Sequence, residues 1–330
     1  MAIISSFVRA KRAKAFFVKT ASVLSILALL IVYLIDGDIR RLQIHSIEQI
    51  NVENHAVGIL LRNDEDIEDL KYNLRALRKY EIVRKETPIC IFHEDTFPVE
   101  KKWDIMRMTL NPISFHVVNF EVPEGLVSAE DIDEERLKQH FWISGAWEHP
   151  AVGQFETIMR LDADSCFVSV GVDVEDIHLP SMRGRYVYRS NGPNTGDSAL
   201  IDGLYNFTVN YMEANGITPS HPELWETVKH MWIDEGTLPV FDTSFEVHRI
   251  PFFKRHDVMM WHTSITESEP YSVLKNHWNE AQIRVLTMTL FGTKDSVDDN
   301  VLMKDHPGYK HGKEICAEHF EIVDTSSRSA

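Results

Sequence analysis

From about residue 55 onward, short apolar runs alternate with amphipathic ones, and this alternation restricts the chain's architecture more than any single motif does. "HAVGILLRN" (55–63) reads as a buried strand, and "DIEDLKYNLRALRKY" (66–80) sets Ile67, Leu70, Leu74 and Leu77 at helical spacing. "TPICIFHED" (87–95) is a short apolar run opened by a proline and closed by polar residues. "ISFHVVNFEV" (113–122) alternates as a strand does, and "FETIMRLDADSCF" (155–167) reads as another strand. "PELWETVKHMWIDEG" (222–236) and "NEAQIRVLTMTLFG" (279–292) read as helices, each closed by a glycine. Strands alternating with helices predict an α/β layered domain. In such folds ligands collect at the carboxyl ends of the strands. No repeat, low-complexity tract or linker interrupts residues 56–330, so the sequence predicts one domain there.

The N-terminal region is of a different kind. "AFFVKTASVLSILALLIVYLI" (15–35) is almost wholly apolar, and its length matches the roughly 20 residues that cross a bilayer. The core run Ala21–Ile35 would also suit a cleaved signal peptide, but no small-residue cleavage site follows it. Residues 1–35 hold Arg9, Lys11, Arg12, Lys14 and Lys19 and no acidic residue. Basic residues before a span keep that end cytoplasmic. The expected organisation is a cytoplasmic tail (1–14), a signal anchor (15–35), a stem (36–55) and a lumenal domain (56–330), a single-pass type II protein. The net charge of −16 argues against a nucleic-acid partner. Three cysteines (Cys90, Cys166, Cys316) are too few for a disulfide framework, though a lumenal compartment permits one bridge. "NFT" at Asn206 is an N-glycosylation sequon, usable in that topology.

Within the domain, three stretches carry candidate chemistry. "TIMRLDADSCF" sets Asp162 and Asp164 one residue apart at the end of an apolar run. On an extended chain, residues i and i+2 share a face, so the two carboxylates would converge. They read either as a solvated turn or as two hard oxygen donors for Mn²⁺ or Mg²⁺ that hold a phosphate. "FDTSFEVHRIPFF" (241–253) places Glu246 among large apolar residues, where a carboxylate needs a partner or a task. It reads as a nucleophile or base, or as a structural glutamate paired with His248 or Arg249. "KDHPGYKHG" (304–312) is a loop whose His306 and His311 are either incidental or metal ligands. Gly-rich phosphate loops, the G-x-S-x-G elbow and H-E-x-x-H are all absent.

Taken in order, these segments resemble the fungal-type α-1,2-mannosyltransferases of glycosyltransferase family 15. The resemblance runs over roughly residues 56–316. "GILLRNDEDIEDLKYNLRALRKY" is similar to the family's opening strand and helix. "PICIFHEDTF" resembles its "P-W-hydrophobic-F-L-N-D-x-P-F" segment, and "SGAWEHP" resembles "SGFFYRHP". "MRLDADSCF" resembles "WRLEPDVKF", and "FDTSFEVHRIPFF" resembles "FWSNFEIADLNFF". "NHWNEAQIRVLTMTLF" resembles "ERWGDAPVHSIAAALF", and "DHPGYKH" resembles "DIGYxH". The resemblance implies a Golgi type II membrane enzyme with a GT-A-like fold that uses GDP-mannose and Mn²⁺ and retains the anomeric configuration. By position, Asp162 falls on the family's metal-binding glutamate, one methylene shorter, and Asp164 on a variable position beside it. His311 falls on the second metal ligand. Glu246 falls on the glutamate taken as nucleophile or near-anomeric stabiliser. Arg160 falls on the arginine before the acidic motif, where it pairs with donor phosphate or with the motif itself. Met159, the "FDTS" block and Glu280 depart from the family pattern around the nucleotide and acceptor pockets. A UDP-galactose or UDP-glucose donor, a metal-dependent hydrolase and a non-catalytic lumenal binding protein are the rival expectations.

Overall fold

Apolar runs with no polar face need cover on both sides of a sheet. A computed structural model of the chain shows how they obtain it. It describes residues 55–61, 64–120, 132, 134–168, 186–189, 201–267, 272–276, 278–298 and 309–327. The expected tail (1–14), membrane span (15–35), all of the stem (36–55) except His55, and His306 lie outside the described residues. No helix among the described residues is long and apolar enough to cross a membrane.

The strands in chain order are β1 (His55–Leu61), β2 (Ile89–His93), β3 (Ile113–Val117), β4 (Thr157–Leu161), β5 (Ser165–Phe167), β6 (Tyr186–Arg189), β7 (Asp242–Arg249), β8 (Val297–Asp298) and β9 (Tyr309–His311). The longer helices are α1 (Asp64–Lys79), α2 (Val99–Met106), α3 (Glu134–His140), α4 (Leu204–Asn215), α5 (Pro222–His230), α6 (His256–Thr266), α7 (Glu280–Phe291) and α8 (Lys313–Ser327). Among the described residues, seven strands form one sheet in the order β3-β2-β1-β4-β7-β6-β8. β1, β2, β3 and β4 run parallel, whereas β7 is antiparallel to both β4 and β6. The sheet is therefore mixed and mostly parallel, as the resemblance to a GT-A-like fold implies. Strand order reverses beside β1, and such a reversal opens a crevice at the carboxyl ends of the strands.

The two faces of the sheet differ in chemistry. On one, Val57, Ile59, Leu61, Ile91, Met159, Leu161, Phe245 and Val247 form a single core with Ile67, Leu70, Leu74 and Leu77 of α1. Those four helix residues are the ones whose spacing marks the helix in the sequence. Each is essentially fully buried and contributes roughly 2 kcal/mol by leaving water. The other face carries Gly58, Ile158, Arg160, Glu246 and His248, and lies against Trp142, Trp147 and α7. A Cβ on Gly58 would sit 2.7 Å from Ile158 Cδ1 and 3.3 Å from Trp142 Cη2, so the glycine admits the indole. Trp142 lies in a π-helical turn, Phe141–Gly145, that follows α3.

α7 is buried on nearly every side, with Thr287 and Thr289 donating back to the carbonyls of Ile283 and Val285 at 2.8 Å. Asn279 caps its start, its side-chain oxygen accepting from Ala281 N at 2.7 Å. The helix expected over 222–236 is α5 followed by a π-helical turn, Met231–Glu235, which ends at Gly236 with φ +66°. The strand expected over 155–167 is corrected to two. β4 ends at Leu161, the chain turns, and β5 pairs with β9 in a separate two-stranded sheet.

A disulfide joins Cys166 of β5 to Cys316 of α8, with Cα atoms 5.9 Å apart, and Cys90 is a buried free thiol. The bridge closes a loop of 150 residues. On the chain-entropy scale such a closure is worth about 5 kcal/mol. We expect reduction, or paired Cys166→Ala and Cys316→Ala substitution, to lower the midpoint of thermal unfolding by at least about 5 °C. An unchanged midpoint under verified reduction would show that the bridge adds nothing to stability.

Candidate functional site

Backbone bonds at the end of β4 decide where the paired aspartates point. Asp162 N donates to Ser244 O at 3.1 Å, extending the β4–β7 ladder by one residue. The carbonyl of Asp162 accepts from Ser165 N at 3.1 Å, Ser165 Oγ at 2.6 Å and Asn73 Nδ2 of α1 at 3.1 Å. Residues 162–165 thus form a clamped turn, and the two carboxylates converge through that turn instead of along an extended strand.

The third member arrives from the far end of the chain. β5 and β9 pair antiparallel with Ser165 opposite His311, and Gly312 N donates to Asp164 O at 3.1 Å. Gly312 has φ +113°, a conformation that favours glycine and lets the chain leave β9 for α8. One ligand atom each from Asp162, Asp164 and His311 then lie within 4.8 Å of one another. His311 Nε2 is 3.2 Å from Asp164 Oδ1 and 3.7 Å from Asp162 Oδ2. Asp164 and His311 are open to solvent, with 36% and 41% of their side-chain surface exposed, while Asp162 is mostly covered at 11%. Two hard carboxylate oxygens and an imidazole suit Mn²⁺ or Mg²⁺, so these residues fit the cation expected from the sequence.

The electrostatics agree with that chemistry. Burial works against charge on Asp164, but the hydrogen bond and charge of His311, with Lys138 behind them, hold its carboxyl below the usual range. The same hydrogen bond outweighs partial burial at His311 and raises its pKa. Two cations flank Asp162. Lys138 Nζ of α3 is 3.8 Å from Oδ2, and Arg160 Nη2 is 3.5 Å from Oδ1. Lys138 was invisible in the sequence, where it is one charge in a polar helix.

Behind Arg160, on the covered face of the sheet, lies a cluster of buried charges. β4–β7 pairing sets Arg160 directly opposite Glu246. Glu246 is 0% exposed, and its oxygens meet Arg160 Nη1 at 3.0 Å, Arg284 Nε at 3.0 Å and His248 Nε2 at 3.2 Å. Glu280 Oε1 receives Arg284 Nη2 at 2.9 Å and makes a close hydrogen bond with Arg160 Nη1. Trp142 lies over the Arg160 guanidinium at 4.8 Å, and Phe253 over that of Arg284 at 5.0 Å. Arg284 Nη2 also donates to Trp142 O at 3.1 Å. Burial would raise the Glu246 pKa, but Arg284, His248 and Arg160 together hold it well below the ordinary carboxylate range. Glu280 is pushed by burial up to about 7 against the pull of Arg160. Burial lowers His248 to about 4. Sequence reading offered His248 or Arg249 as the structural partner of Glu246. His248 is one, and the arginines that pair with it are Arg160 and Arg284. Arg284 had no local signal except its place inside an apolar helix.

Asn206 is exposed in the first turn of α4. Thr208 of the same sequon is fully buried, and its hydroxyl donates to Leu204 O at 2.8 Å.

No family model and no curated protein sequence matches the chain. Solved structures do. Core-mannan synthase A (CmsA/Ktr4) from Aspergillus fumigatus, in its Mn/GDP form, superposes with a TM-score of 0.65 at 17% identity, covering 78% of this chain and 74% of that one. The mannosyltransferase Ktr4p from S. cerevisiae gives 0.64 at 16% identity, over 78% and 70% of the two chains. Its complex with GDP gives the same TM-score and identity. At these identities the likeness is one of fold. The GT-A-like fold expected from the resemblance therefore agrees with the observed architecture, which the chain shares with these two solved mannosyltransferases.

Proposed function

We propose that the chain is a metal-dependent, retaining glycosyltransferase that moves mannose from GDP-mannose to a hydroxyl of a mannose-containing glycan, in the manner of an α-1,2-mannosyltransferase. The observation that carries this reading is the convergence of Asp162, Asp164 and His311 at the carboxyl end of β4. It occurs in a fold shared with solved mannosyltransferases, one of them described as a Mn/GDP form. A divalent cation held there supplies Lewis-acid neutralisation of a diphosphate leaving group. Asp162 and Asp164 present the hard oxygens and His311 the imidazole. Lys138 and Arg160 add positive charge beside Asp162, where the donor's phosphates would gather. Retention is reached either through attack by a protein carboxylate or by acceptor attack on the face the diphosphate leaves. The burial of Glu246 bears on that choice.

In this reading residues 15–35 tether the domain to a Golgi membrane, with the catalytic domain in the lumen. The Cys166–Cys316 bridge supports an oxidising compartment. Asn206, exposed on α4, is then a glycan acceptor of the chain itself.

The test uses the full chain in detergent. We expect Mn²⁺-dependent transfer from GDP-mannose to α-methyl-mannoside, reduced at least about 100-fold by Asp162→Ala and by His311→Ala. Transfer from UDP-galactose or UDP-glucose alone would reassign the donor. Loss of Mn²⁺-dependent binding of both GDP and UDP would end the transferase reading.

Metal binding also has an expected pH profile. His311 ligates only when neutral, and Asp164 raises its pKa above the ordinary histidine value. Mn²⁺ affinity should be flat above that pKa and fall by up to about tenfold per pH unit below it. Mn²⁺ titration by electron paramagnetic resonance between about pH 6 and 9 covers the range in which histidine ligation changes. His311→Ala should weaken binding and flatten the profile. A profile that His311→Ala leaves unchanged would remove this histidine from the ligand set.

A further inference from the structure

Glu246 occupies the place where a group acting on the reacting carbon was expected, yet its carboxylate has no surface. One oxygen belongs to Arg284 Nε, and the other to Arg160 Nη1 and His248 Nε2. A carboxylate that attacks or stabilises a carbon must come within about 3–3.5 Å of it. For Glu246 to do so, buried guanidinium pairs would have to break and leave charges uncompensated in a dry site. The same contacts point to another role. Arg160, Glu246, Arg284 and Glu280 form a closed cycle in which each arginine bridges both glutamates. The cycle is walled by Trp142, Trp147 and Phe253. The cycle engages Arg160 through Nη1, and Nη2 of the same guanidinium lies 3.5 Å from Asp162 Oδ1.

We infer that Glu246 is a positioning residue: with Glu280 and Arg284 it locks the Arg160 guanidinium, and Arg160 holds the Asp162 carboxylate in the orientation that receives the cation and donor phosphate. This rests on the proposal that Asp162 belongs to a metal site. It deepens that proposal by removing Glu246 from direct attack on the sugar, with no glycosyl–Glu246 bond formed. It also names Arg284 and Glu280, both buried behind Arg160, as determinants of metal affinity.

The experiment measures Mn²⁺ dissociation constants by electron paramagnetic resonance on the full chain in detergent, for wild type, Glu246→Gln, Glu246→Asp and Arg284→Lys. Near-ultraviolet circular dichroism confirms the fold of each. Partners that orient a metal ligand typically change affinity 10- to 100-fold. We expect Glu246→Gln and Arg284→Lys to weaken Mn²⁺ binding about tenfold or more, with Glu246→Asp intermediate. Transfer by Glu246→Gln should recover at saturating Mn²⁺ to within about tenfold of wild type, because the defect lies in occupancy. Arg284→Lys keeps the test open should Glu246→Gln fail to fold. Sodium azide supplies the decisive contrast on Glu246→Ala. If Glu246 were the nucleophile, azide would displace GDP from the anomeric carbon in its place, giving glycosyl azide and GDP. Azide-dependent glycosyl azide, or Mn²⁺ affinities within twofold of wild type in the folded variants, would overturn the inference. Absence of Mn²⁺ binding by wild type would instead overturn the metal reading beneath it, and the inference with it.

Discussion

The antiparallel pairing of β4 with β7 sets a buried arginine opposite a buried glutamate, and the chemistry of the site depends on that register. A slip of β4 by one residue would turn Arg160 into the hydrocarbon core around α1, bring Met159 to the polar face and leave Glu246 without its cross-strand arginine. The cost of stranding one charge in that core and unpairing another holds the register. β4 is thereby fixed along its length, and its carboxyl end delivers Asp162 to a defined place beside the crevice.

The second constraint acts at the other end of the cluster. His311 sits on a three-residue strand that would be marginal alone. It is held by pairing with β5, by the Gly312 to Asp164 bond and by the Cys166–Cys316 bridge. The disulfide bridges β5, on which the acidic turn opens, to α8, into which the histidine strand leads. Oxidation state and metal geometry are thus linked by a few residues of backbone. One face of the site is rigid because of buried charge, and the other because of a covalent tie.

The polar interior is a costly way to build a core, since well-packed apolar residues often stabilise as much as a buried ion cluster or more. What the cluster contributes is orientation. Guanidinium groups bridging two carboxylates have fixed geometry, unlike a lysine on a flexible stem. The aromatic rings around Arg160 and Arg284 exclude water and keep those hydrogen bonds strong. The solvent-facing trio of Asp162, Asp164 and His311 can remain open to ligand because the ordering is done one layer deeper.

Much of this was legible in the sequence, wherever the signal was local. The apolar spacing of Ile67, Leu70, Leu74 and Leu77 identified α1, and the continuous apolar run at 55–61 identified β1 as an interior strand. The acidic pair at the end of an apolar run marked a strand terminus, and the collinear segments pointed to His311 as its companion. What the sequence could not show were contacts between residues far apart in the chain. Arg284 sits inside a helix whose pattern says only that it is buried, and Lys138 in one whose pattern says only that it is polar. The break of one expected strand into β4 and β5 was decided by the Asn73 and Ser165 bonds to a single carbonyl, and these exist only once α1 lies beneath the turn. Periodicity along the chain reports which side of an element is buried, so it determined the layers and the ends of the strands. Which buried charge meets which depends on register and helix packing, and only the tertiary structure decided that Glu246 faces two arginines and not open solvent.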